Sequence, residues 1–142
     1  MRIAIGNDHA GFKIKMVLKE WLLDQGYDLT DFGTDSEEPV DYPDIAHPLA
    51  SSVEKAEFDL GILICGAGEG ASITANKHQG IRATLCWMPE IARLSRAHNN
   101  ANILCLPGRF IGDDAAIEVL KVFLNTPFDG GRHKQRIDKV PL

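Results

Sequence analysis

"ILICGAGEGASI", residues 62–73, is an apolar run that ends on Cys65 and empties into three glycines at alternate positions, Gly66, Gly68 and Gly70. An oily strand running into a glycine turn is the start of a βα unit, and the chain on either side repeats that alternation of short apolar and longer amphipathic runs. The pattern is that of a parallel sheet. Strands are expected at residues 2–6, 27–32, 60–64, 82–86 and 102–106. Between the first two, Ile14, Leu18, Trp21 and Leu22 recur at helical spacing, Lys13, Lys15, Lys19, Glu20 and Asp24 fill the other face, and Gly26 follows as a C-cap. Further helices are expected at 43–55, 70–77, 89–97 and 113–124. No repeat, linker or low-complexity segment interrupts residues 1–142, so one domain is expected. After "TPFDGG" the chain closes on "RHKQRIDKVPL", a charged tail too small to be a domain, for which a neighbouring subunit is one resting place.

Composition narrows the function. Three cysteines at positions 65, 86 and 105 have neither disulfide-framework nor zinc-site spacing, which points to reduced thiols in a cytoplasm. "MRIAIGNDHAG" carries no apolar segment of signal-peptide length, and no run approaches the roughly 20 apolar residues of a membrane helix. A net charge of −5 without a long Lys/Arg run argues against nucleic acid and anionic lipid as partners.

Ligands of open parallel sheets bind beyond the carboxyl ends of the strands. There the chain places "GNDHAG", "CGAGEG" and "PGR", while "AHNN" ends the helix before the fifth strand. Asp8, His9, Cys65, His98, Asn99 and Arg109 are therefore expected to converge on one rim. The glycine turn has neither the spacing of a dinucleotide fingerprint nor a Walker lysine. Three glycines in five residues instead suit an anion cradle of backbone amides at a helix start. A cysteine beside such a cradle suits an anion that forms during reaction, such as the enediolate left when a proton is taken from a carbon next to a carbonyl. A helix N-terminus lowers a thiol's pKa, so Cys65 is a candidate base. Spacing alone leaves it equally a buried strand residue, the role expected of Cys86 and Cys105. Solvated or capping roles are expected for His47 and His78, and His133 has no special setting. Arg132 and Arg136, four apart, would share a helical face and could grip a phosphate, with a solvated tail as the plain alternative.

The blocks "IAIGNDHAGFKIK", "DYPDIA", "GILICGAGEGASITANKHQGIRA", "SRAHNNANIL", "PGRFIG" and "DGGRHKQRID" together resemble, in order and nearly end to end, the type B ribose-5-phosphate isomerases, a family that includes galactose-6-phosphate and allose-6-phosphate isomerases. The resemblance implies a Rossmann-like three-layer α/β/α sandwich with a five-stranded parallel sheet. It implies a homodimer or dimer of dimers with shared active sites, and cofactor-free interconversion of ribose 5-phosphate and ribulose 5-phosphate. Turnover without a metal is expected separately, because no cluster has metal-ligand spacing in the sequence and the glycine amides can carry the developing charge. Under it, Cys65 is the base and the amides of Gly66, Ala67, Gly68, Glu69 and Gly70 stabilise the enediolate. His98 opens the sugar ring, and Asp8, His9, Tyr42, Asn99 and Arg109 bind substrate. Arg132 and Arg136 hold the phosphate. A branch of the family that uses a glutamate six residues beyond the cysteine has no counterpart here, because that position is Ala71. One departure is Ala67, where the family usually has Thr or Ser, and Ser72 or water is the substitute the sequence offers. Isomerisation of a hexose 6-phosphate and non-catalytic binding of a sugar phosphate are the other readings.

Overall fold

The computed structural model describes residues 1–142. Five parallel strands alternate with helices: β1 Arg2–Asn7, α1 Phe12–Asp24, β2 Asp28–Asp31, α2 Tyr42–Glu54, β3 Leu60–Cys65, α3 Glu69–Ala75, β4 Ala83–Leu85, α4 Pro89–Ala97, β5 Ile103–Pro107, α5 Asp113–Asn125 and α6 Arg132–Ile137. The sheet order is β2-β1-β3-β5-β4, with every pair parallel. Side chains alternate across β3: Ile62 and Ile64 enter a core shared with Leu18 of α1, Ala92 of α4 and Leu120 of α5, while Leu63 and Cys65 enter a second core with Leu49 of α2 and Ala71 of α3. Helices thus cover both faces, which is why the central strand is apolar throughout. This is the expected α/β/α sandwich. No helix is long and apolar enough to cross a membrane.

Expected and observed elements agree within a residue or two, and three departures are informative. α3 stops at Ala75 because the side-chain amide of Asn76 bonds both the N–H and the C=O of Ala83, each at 2.8 Å, and turns the chain into β4. Lys15, placed on the polar face of α1 by periodicity, is fully buried. The loop after β2 folds over it, so its ammonium meets Asp31 at 3.0 Å and donates to the Thr34 carbonyl at 2.6 Å. Burial would raise the Asp31 carboxyl, but the Gly33 amide and the ammoniums of Lys15 and Lys19 hold it below its usual value. The charged tail, finally, folds back on its own chain as α6, with Ile137 buried and the Leu142 amide bonded to Gln79.

Candidate active site

Three turns meet at the carboxyl edge of the sheet. After β1, Asp8 accepts hydrogen bonds from the amides of Ala10 and Gly11 and caps a short 3-10 turn, Gly11 being pressed against the Ile64 backbone. After β3 comes the glycine turn. After β5, the amides of Gly108 and Arg109 bond the carbonyls of Cys65 and Gly66, tying the second and third turns together. Each glycine of the cradle has a reason. A Cβ on Gly66 would lie 3.3 Å from the Arg109 guanidinium, one on Gly70 would lie 2.5 Å from the Tyr42 ring, and Gly68 has φ +79° with Leu85 and Leu106 against it. The turn is thereby drawn tight, and the nearby amides of Ala71, Gly68 and Gly70 favour the Cys65 thiolate. Ala67 and Glu69 are exposed at its tip.

Tyr42 stands at the start of α2, and His9 takes the Val40 amide on Nδ1, leaving Nε2 for the cavities beside it. Asp8, His9, Tyr42, Pro43 and Asp44 line one of about 490 Å³. His9, Lys13 and Arg109 line another of about 360 Å³. Ser72 is no stand-in for a hydroxyl at position 67, because its side chain turns to the Ala83 carbonyl at 3.4 Å and toward the Cys105 sulfur.

The thiol's electrostatics differ from the sequence expectation. Cys65 is 5% exposed, and its pKa is raised, by burial first and by the Asp8 carboxylate as well, although the amides of Ala71, Gly68 and Gly70 pull it down. Helix-start amides do not outweigh desolvation here. Asp8→Asn keeps the cap, since asparagine caps as well as aspartate, and removes the like charge. Cys65 should then ionise at lower pH, and its alkylation by iodoacetamide should proceed faster at neutral pH. An unchanged alkylation pH profile would mean that Asp8 does not act on the thiol.

The second difference is one of place. His98 and Asn99 do not share the rim of Cys65 within one chain. They follow α4 and precede β5, so they lie at the amino edge, where the Arg82 guanidinium bonds the carbonyls of Asn99 and Asn100 at 3.0 and 2.9 Å. The five residues of β5 separate that edge from Arg109 by about 17 Å. The Asp129 amide bonds the Ala97 carbonyl, which brings α6 to the same edge with Arg132, His133 and Arg136. His133 stacks on His98 with ring centroids 4.2 Å apart. Burial, and then the neighbouring His98, Arg132 and Arg136, lower the His133 pKa. The candidate residues thus fall into two groups on opposite edges: Asp8, His9, Tyr42, Cys65 and residues 66–70 with Arg109 on one, and His98, Asn99, Arg132 and Arg136 on the other.

Sequence reading passed over His133, although it sits between the two arginines of interest. It also gave His47 and His78 solvated or capping roles, whereas they bond one another at 2.9 Å and His78 pairs with Glu54.

A family described as ribose/galactose isomerase matches residues 3–140. The chain belongs to this family. It is 43% identical to the ribose-5-phosphate isomerase B of Escherichia coli over 98% of this chain and 93% of that one. Among solved structures, a ribose 5-phosphate isomerase of Thermotoga maritima superposes with a TM-score of 0.97 at 54% identity, covering 99% of this chain and 97% of its own. The ribose-5-phosphate isomerase B of Mycoplasma genitalium, solved with bound ribulose 5-phosphate, matches with a TM-score of 0.94 at 42% identity, covering 98% and 93%. Membership of the ribose/galactose isomerases and their α/β sandwich are thus common ground between sequence, fold and relatives.

Proposed function

We propose that this chain is an aldose–ketose isomerase that interconverts ribose 5-phosphate and ribulose 5-phosphate, working as a homodimer or dimer of dimers in the cytoplasm. The observation that carries the reading is a cysteine at the carboxyl end of β3, heading the tight glycine turn into α3, in a chain whose close relative was solved with ribulose 5-phosphate. In this mechanism the Cys65 thiolate takes the proton from C2 of the open-chain aldose. The electron pair moves into a C1–C2 double bond, and the oxygen left with the charge faces the amides of residues 66–70. The hydroxyl proton on O2 passes to O1 through water, and the thiol returns the carbon-bound proton to C1, giving the ketose. No external electron acceptor, metal or organic cofactor enters. A thiol pushed up by burial is scarcer as thiolate but a stronger base once ionised.

The other half of the chemistry comes from a second copy. Its His98 protonates the ring oxygen and opens the furanose, its Asn99 binds substrate, and its Arg132 and Arg136 clamp the phosphate. The supporting argument is the separation of the half-sites within one chain, which two copies in a two-fold arrangement would close twice. The cationic edge of the second copy also supplies positive charge that favours the Cys65 thiolate. Free, unbridged thiols at all three cysteines fit a reducing compartment.

Ribose 5-phosphate should be turned over with a higher kcat/KM than allose 6-phosphate or galactose 6-phosphate. Arg136→Ala should weaken inhibition by inorganic phosphate by at least about tenfold, the loss of one charge-assisted pair. A hexose 6-phosphate that outpaces ribose 5-phosphate would reassign the substrate. Full phosphate sensitivity in the Arg136 variant would leave α6 a merely solvated helix.

A further inference from the structure

We propose that His98, Asp129 and His133 form a binding site for a divalent transition cation, Zn²⁺ above all, whose occupation arrests the enzyme. The three residues come from separate segments, the end of α4, the loop before α6, and α6 itself, and their ligand atoms lie within 4.8 Å of one another. Two positive-φ glycines, Gly130 at +70° and Gly131 at +57°, make the bend that returns His133 toward Asp129. The Asp129 amide, bonded to Ala97, fixes that bend beside His98.

The side chains are chemically unspent. None of the three makes a hydrogen bond or ion pair within the chain, whereas the other histidine pair, His47 and His78, has committed its facing nitrogens to each other and to Glu54. Two imidazole nitrogens and one carboxylate oxygen suit zinc, with water in the fourth position, and do not suit magnesium or calcium, which prefer oxygen ligands. Ligand atoms around one tetrahedral zinc sit about 3.3 Å apart. Closing from 4.8 Å asks for a shift of the exposed Asp129 carboxylate and for one imidazole to swing out of the His98–His133 stack, because rings 10° from parallel do not aim both lone pairs at one ion. Arg132 and Arg136 oppose the cation, but both are exposed and screened by solvent and salt.

Binding would take the lone pair of the His98 nitrogen and so remove its proton-donating function. That consequence rests on the isomerase reading; the cation site does not. The two are separated by measuring zinc binding in a Cys65→Ala background, which removes the competing thiol and needs no activity. Competition with a chromophoric zinc chelator in phosphate-free buffer should show one equivalent of Zn²⁺ per chain. Asp129→Asn and His133→Asn should each weaken it by at least about tenfold, and Mg²⁺ should not compete. In the catalytically intact chain, Zn²⁺ should stop turnover of ribose 5-phosphate and EDTA should restore it. Asp129→Asn alone should resist zinc while keeping its zinc-free rate. Absence of the one-equivalent binding, or unaltered affinity in both variants, overturns the site. Zinc bound as described by a chain that does not isomerise ribose 5-phosphate would sustain the site and overturn the isomerase reading.

Discussion

Cys65→Ala should lower kcat on ribose 5-phosphate by about 10²- to 10⁴-fold, the usual contribution of a general base, with the fold intact. The sulfur lies in the core between the sheet and α2/α3, so its removal also leaves a small void worth about 1 kcal/mol. Two controls separate chemistry from packing. Cys65→Ser nearly keeps the volume but replaces the thiol with a hydroxyl that does not ionise near neutrality, so it should be as slow as the alanine variant. Cys86→Ala opens a comparable void in the opposite core, where the sulfur is fully buried and contacts Ser95, and should cost stability without cost to kcat. Steady-state kinetics with thermal unfolding of the three variants decides the matter. A Cys65→Ser enzyme near the parental rate would return that residue to a purely structural role.

The second large effect appears on mixing two inactive proteins. Cys65→Ala and His98→Ala should each be nearly dead, for opposite reasons, because each spoils one of the two half-sites. If a working site takes Cys65 from one chain and His98 from another, a mixed dimer holds one site with both residues intact and one with neither. Random re-association of equal amounts makes half the dimers mixed, each with one working site of two, so activity should recover to about a quarter of the parental value. Sites built within single chains would recover nothing on mixing. Unfolding and refolding the variants together, with each refolded alone as reference, makes the comparison. Because recovery starts from almost zero, even partial exchange between dimers would be visible.

What could be read from the residues followed the forces that act locally. Ile14, Leu18 and Leu22 were recognisable as the buried stripe of α1 because a helix must hide one face, and that pressure is written at regular spacing. Lys15 defied the same rule because its burial comes from a loop twenty residues away, through Thr34 and Asp35, which periodicity does not register. The glycine turn was legible as a tight strand-to-helix turn needing small residues. The direction of the thiol's shift was not, since it depends on how deeply the fold buries Cys65 and on Asp8 in the turn after β1. His98 was assigned to the wrong edge for want of a directional argument that the chain did contain. In a parallel sheet the turn leading into a strand lies at the edge opposite the turn leading out, so residues just before β5 stand far from those just after β3. His133 gave no signal, because its partners Asp129 and His98 meet it only after the double-glycine bend and the packing of α6.

The order of the strands also has a consequence for synthesis. β4 pairs only with β5, which lies between it and the rest of the sheet, yet β4 leaves the ribosome first. Twenty-two residues separate the ends of the two strands, Leu85 and Pro107. At about 5–20 residues per second the nascent chain waits between one and several seconds, on the order of 1–4 s, before the missing neighbour can dock. During that interval β1, β2 and β3 can already pair, while residues 83–85 and the helix after them hang from a half-built sheet. A three-residue strand headed by Arg82 offers little for another nascent chain to add to. The brevity of β4 protects the protein in the seconds before it is a protein at all.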